Sequence, residues 1–123
     1  MSKTIIILPE TEGPTLCVSL TGIIAAEDFS EFFEKPLREV LNRFDHYNLY
    51  AVYQEEFRGW SEEAADLSFK CISAVASKAK KAAYVNAPDS RRLLMKMVQP
   101  LTSAEVRYFD SGEESQALAW IRE

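Results

Sequence analysis

The run "NLYAVYQ" at residues 48–54 is nearly continuously apolar, and it lies between two stretches of helical periodicity. Such continuity marks a central strand of a largely parallel sheet, in which both faces of the strand are covered. On its N-terminal side Phe29, Phe32, Phe33, Leu37, Val40, Leu41 and Phe44 fall on one stripe of period 3.6. Glu27, Asp28, Glu31, Glu34, Arg38 and Glu39 occupy much of the remaining circumference. Pro36 sits inside the stripe, lacks a backbone donor and clashes with the carbonyl four residues back. The helix is therefore expected to kink or divide near Lys35. On the C-terminal side a second helix is predicted over about residues 62–77, with Ala65, Phe69, Ile72, Ala76 and Ala79 facing inward.

The other segments continue the alternation. "TIIIL", closed by Pro9, and "TLCVSLTG" read as two strands of a hairpin joined by the turn "TEGP". Leu16, Val18 and Leu20 alternate with Cys17, Ser19 and Thr21, the pattern of a half-buried strand. "KAAYVNA" is a fourth strand. Asp89 is placed as the N-cap of a short helix that carries Leu93, Leu94, Met97 and Val98 and ends at Pro100. "AEVRYF" is a fifth strand. Ser111, with Glu114 three positions on, reads as a capping box opening a last helix whose inner stripe is Ala117, Leu118 and Ile121. The order ββαβαβαβα predicts an α/β fold. Its five-stranded mixed sheet is antiparallel at the N-terminal hairpin and otherwise parallel, with about four helices.

At 123 residues, one domain spanning 1–123 is expected, with no room for a second independent core. The four consecutive strongly apolar residues before Pro9 are too few for a signal-peptide core or a membrane span. A cytoplasmic protein with no membrane span is the expectation. Cys17 and Cys71 match no ligand spacing and read as free thiols, and with His46 as the one histidine, zinc has no ligand set. No metal and no cofactor are expected. The net charge of −5 is uneven: residues 1–69 hold thirteen acids and five bases, whereas 70–107 hold eight bases against Asp89 and Glu105. Those bases are assigned to solvated outer faces and ends of helices, so no nucleic-acid binding is expected.

Covalent chemistry finds few candidates. A nucleophilic Ser or Cys needs a base that a third group orients, and the one histidine lies in the polar turn "FDHYN". Four glycines, Gly13, Gly22, Gly59 and Gly112, form no Walker or dinucleotide pattern. Glu55 and Glu56 are adjacent and point to opposite sides of a strand end, a poor acid/base pair. No catalytic residue is predicted, and the chain reads as a non-enzyme.

The stretch "EEFRGWSEEAADLSF", residues 55–69, lies where open α/β sheets collect ligands and switches. Gly59 is suited to a positive φ and a sharp bend. Ser61 is suited to cap the following helix, with Glu62 and Glu63 in its first turn facing the dipole. Trp60, just before the cap, is placed to pack on Ala64 or Ala65 as a hydrophobic staple.

Three blocks carry a family resemblance: the strand running into "EFRGWSEEAADLSF", then "KAAYVNAPDSRRLLMKMVQP", and "PLTSAEVRYFDSGEESQALAWIRE". Over roughly residues 15–123 the chain resembles the SpoIIAA-like (STAS-like) family of small bacterial domains, related in fold to anti-sigma-factor antagonists. The resemblance implies a sheet with its helices mainly on one side and a non-catalytic role in protein–protein interaction or regulation. In the antagonist branch the turn before the second helix carries a phosphorylatable serine in an Asp-Ser motif. Here "FRGWS" occupies that bend, without the aspartate. The expected partner surface is Phe57, Arg58, Trp60 and Ser61, facing a protein partner or a second copy in a homodimer; Trp and Arg are residue types that anchor interfaces. Relatives of the broader fold hold lipids or other apolar ligands against the sheet. The alternative is therefore a small apolar-ligand pocket under the first helix, lined by Phe29, Phe32, Phe33, Leu37 and Tyr53.

Overall fold

The structure, a computed structural model, describes residues 3–123. In chain order its strands are β1 (Ile5–Ile7), β2 (Thr15–Leu20), β3 (Ile23–Ile24), β4 (Tyr47–Tyr53), β5 (Gly59–Trp60), β6 (Ala79–Val85) and β7 (Glu105–Phe109). Its α-helices are α1 (Ala26–Phe29), α2 (Lys35–Arg43), α3 (Glu62–Val75), α4 (Asp89–Val98) and α5 (Glu114–Ile121). The main sheet runs β1-β2-β4-β6-β7, with β1 antiparallel to β2 and every other pair parallel. This is the mixed α/β sheet the alternation predicts. "NLYAVYQ" supplies its middle strand, hydrogen-bonded on both sides.

Each face of the sheet is covered. On one face Leu16, Val18, Leu49, Ala51, Ala82 and Tyr84 pack with Phe29, Phe33 and Leu37 of the first helical segment. Burying each of those helix side chains contributes roughly 1.5–3 kcal/mol. On the other face Cys17, Tyr50, Ala83 and Val85 pack against Ala117, Trp120 and Ile121 of α5. This second layer corrects the half-buried reading of β2. Its alternate residues Cys17 and Ser19 are buried too: Cys17 packs with α5, and Ser19 Oγ accepts from Gln54 Nε2 at 2.8 Å.

α1 and α2 form one continuous helical segment interrupted by a π turn at Ser30–Glu34, in which the Lys35 N–H donates to the Ser30 carbonyl. The division expected near Lys35 thus appears as a widened turn. The helix relieves the crowding ahead of Pro36 by opening one turn rather than by ending.

Three helix details differ from the sequence reading. The buried face of α3 is Ala64, Ser68, Cys71 and Ile72, so the inward stripe is rotated and leaves Ala65 and Phe69 outside. In α4 the buried residues are Arg91 and Val98, while Leu93 and Met97 are exposed; Asp89 is the first helical residue, after Pro88, and caps nothing. α5 begins at Glu114 and Ser111 lies outside it, because Gly112 turns the chain at φ +96° between them. Carboxylates tie that turn instead: Glu113 Oε1 accepts from the Asp110 N–H (2.7 Å) and Glu114 Oε1 from the Gly112 N–H (2.6 Å). None of the described helices is long and apolar enough to cross a membrane.

Candidate functional site

The turn after β4 is stitched to the chain segment before α1. The Gly22 N–H donates to Glu56 O (3.0 Å), the Arg58 N–H to Gly22 O (2.7 Å) and the Ser61 N–H to Ile24 O (2.9 Å). These bonds make β3 and β5 a separate two-stranded parallel sheet. Gly59 sits at φ +133°, a conformation that L side chains rarely adopt, and Ser61 Oγ accepts from the Ala64 N–H at 3.1 Å, the predicted cap.

The four residues expected to form a partner surface fall into different environments. Arg58 is exposed, and its guanidinium bonds the Glu55 and Phe57 carbonyls (3.1 and 3.3 Å). Ser61 is half-buried and engaged as the cap. Phe57 and Trp60 are half-buried and pack inward. Phe57 meets Tyr53 edge-on at 4.9 Å, and Trp60 meets Phe29 at 6.1 Å and Phe57 at 6.4 Å. Of the five residues expected to line a pocket, Phe29, Phe33, Leu37 and Tyr53 are buried core, with Phe29 and Phe33 stacked at 5.0 Å. Phe32 is half-buried under Lys3, whose Nζ is 4.5 Å from the ring centre. These side chains pack together, and the apolar cleft lies on the far side of Trp60.

That cleft, about 210 Å³ in volume, opens between α3 and α4 beyond the carboxyl end of β4; Trp60, Ala65, Ser68, Phe69, Ser90, Arg91 and Leu94 line it. A wider groove of about 600 Å³ runs between α2 and the β1–β2 hairpin, but none of its polar lining residues is buried. Arg91 distinguishes the smaller one. It is 6% exposed, and its Nε donates to the Tyr53 hydroxyl at 2.9 Å and its Nη2 to Ser68 Oγ at 3.5 Å. Its guanidinium carbon lies 5.1 Å from the Trp60 ring centre and 5.9 Å from that of Tyr84. Nη1 is buried with no hydrogen-bond partner, and none of the ion pairs among the described residues involves Arg91. Burial pushes the Tyr53 phenol up, outweighing the downward pull of Arg91, and it pushes Tyr84 up as well. Both phenols therefore stay neutral near neutral pH and supply no counter-charge. Asn86, at φ +59°, closes the same end of the sheet by donating from Nδ2 to the Tyr53 carbonyl (3.1 Å).

The sequence reading placed Arg91 on a solvated helix end and missed it. A signal was present: Arg91, Leu94 and Val98 stand at i, i+3 and i+7, so the arginine shares the stripe of the inward leucine and valine.

A family model described as SpoIIAA-like matches residues 15–122. The chain belongs to the SpoIIAA-like family. Among solved structures, an uncharacterised DUF3478-family protein with a SpoIIAA-like fold from Shewanella loihica PV-4 is 20% identical to this chain. The match covers 98% of each chain at a TM-score of 0.70, a likeness of fold alone. No curated protein matches.

Other reactive groups of this SpoIIAA-like domain lie apart from the cleft. Cys17 and Cys71 are buried, and burial pushes both thiols up to about 11. His46 bonds Asp45 Oδ1 at 2.8 Å through Nδ1 in a surface turn. Among the described residues, no group of three or more His, Cys, Asp or Glu side chains is placed to hold a metal ion.

Proposed function

We propose that this SpoIIAA-like chain is a non-catalytic, cytoplasmic interaction and regulatory domain that works through the face formed by α3 and α4. The observation that carries this reading is the orientation of α4. The helix buries a charged residue and turns Leu93 and Met97 outward at 62% and 59% exposure, with Leu101 following at 54%. These positions are spaced by four, and Phe69 of α3, at the edge of the α3–α4 cleft, is exposed as well. Apolar side chains aligned in this way form the kind of helix stripe that a partner's groove or helix covers. The buried thiols, the capped Ser61 hydroxyl and the surface position of His46 support a non-catalytic role. A second copy of the chain is the partner to test first. Sedimentation equilibrium of the wild type and of Leu93→Glu/Met97→Glu should show self-association lost in the variant, with its unfolding midpoint unchanged. Identical assembly of the two proteins would remove this reading for self-association.

A second reading is favoured by the concavity beside that stripe. The cleft edged by Trp60, Phe69 and Leu94 is apolar along most of its wall, which suits it to a small apolar molecule. Native mass spectrometry of protein purified without detergent tests this. Absence of any co-purifying mass, together with no thermal shift on adding fatty acids, would count against it.

A further inference from the structure

We infer that the α3–α4 cleft binds a compact monoanion with an apolar body, and that Arg91 holds its anionic group; this rests on the small-ligand reading above. Arginine is always charged, and a buried charge is retained in proteins when it is paired. Arg91 is 94% buried by the complement of its 6% exposure, yet the groups it bonds, Tyr53 Oη and Ser68 Oγ, are both neutral. The faces of Trp60 and Tyr84 offset part of the cost of burying this cation. They leave Nη1 without an acceptor. Nη1 is itself closed to solvent, so a small turn of the guanidinium brings it to an anionic oxygen in the cleft, which supplies both the acceptor and the counter-charge.

The same surroundings set the charge and size of the ligand. Neighbouring cations are engaged elsewhere: Arg92 lies over the Tyr108 ring at 4.4 Å, and Lys70 pairs with Asp66 at 3.1 Å. One guanidinium in an otherwise neutral wall matches one negative charge, so a carboxylate suits it better than a phosphate dianion. Clefts that enclose drug-sized ligands run to roughly 300–1,000 Å³. At about 210 Å³ this one suits a short aliphatic or single-ring acid, whose body lies against Trp60, Phe69 and Leu94.

The test compares sodium hexanoate with hexan-1-ol, which share a carbon chain and differ in charge. Titrations of the full chain are followed by NMR at the Trp60 indole N–H and the Arg91 Nε–H. Hexanoate should shift both signals and bind about ten-fold or more tightly than the alcohol, the ratio expected of a charge-assisted hydrogen bond. Arg91→Met, which replaces a buried unpaired charge by an apolar chain of similar length, should fold and bind both probes equally. Leu94→Trp, which fills the cleft, should abolish the shifts. Equal affinity of the wild type for acid and alcohol would overturn the anion assignment while leaving the small-ligand reading standing. So would hexanoate selectivity that persists in Arg91→Met. Absence of any shift with either probe in the wild type would overturn both.

Discussion

Tyr53 and Arg91, 38 positions apart, are joined by a 2.9 Å hydrogen bond from the guanidinium Nε to the phenolic oxygen. The bond ties the end of the middle strand to the first turn of α4. It also fixes the arginine so that one face lies toward Trp60 and Nη1 is left free. A double-mutant cycle measures it. Tyr53→Phe should lower stability by about 1–3 kcal/mol, since it orphans a buried donor. Arg91→Met should cost less, because it removes the charge along with the bond. The double variant should then be clearly less destabilised than the sum of the two, by urea unfolding; strict additivity would mean that the pair is not coupled.

Trp60 packs against Phe29 and Phe57, whereas Leu93 faces outward. Trp60→Ala should therefore cost roughly 2–4 kcal/mol in chemical denaturation. Leu93→Ala should stay within about 0.5 kcal/mol of wild type. A Trp60→Ala variant as stable as its parent would show that the indole contributes at the surface and not to the packed layer.

At Gly59 a β-carbon would meet nothing within 4 Å, but the residue lies at φ +133°. Gly59→Ala should lose about 1–3 kcal/mol through backbone strain alone. If the strain breaks the β3–β5 pairing, the Ser61 N–H, which bonds Ile24 O in the native state, should exchange faster with deuterium. An unchanged stability would mean that the turn relaxes at no cost.

Burial raises the Cys17 and Cys71 thiols from 9.0 to about 11, and the Tyr50 phenol from 10.0 to about 12. Between those limits the unfolded chain has lost protons that the folded chain still holds. The contribution of these groups is therefore intact below about pH 9 and is lost as pH rises from about 9 to about 12, the cysteines over 9 to 11 and Tyr50 over 10 to 12. The urea midpoint should drop over that window. At pH 8 a thiol reagent should label neither cysteine until denaturant is added. Rapid labelling of the native protein would contradict the burial of both.

Much of the fold was readable because its carriers are local. The stripe from Phe29 to Val40, the cap at Ser61 and the bend at Gly59 are settled by periodicity, a hydroxyl and a missing side chain. What was not readable depends on which neighbour arrives. The two-residue strands β3 and β5 are too short to leave a pattern, and exist because Gly22 and Ile24 meet Glu56, Arg58 and Ser61 in space. Ala64 and Ala65 are equally apolar, so composition alone does not decide which faces the core. The cleft went unseen for a related reason: an arginine beside leucines reads as a helix edge until Tyr53 and Ser68 are seen to reach it.

The covering of the second sheet face has a consequence for synthesis. Cys17, Tyr50, Ala83 and Val85 all emerge from the ribosome before residues 114–121, which shield them. A nascent chain that has already formed its strands still shows one apolar side until α5 follows. Transiently exposed surface of that kind is what chaperones hold and what aggregates when translation stalls. Docking is then helped by Trp120, whose ring centre lies 5.1 Å from the Lys81 ammonium and 4.8 Å from the Arg107 guanidinium. The final turn of the last helix therefore closes a surface laid down about a hundred residues earlier, counted from Cys17 to Trp120.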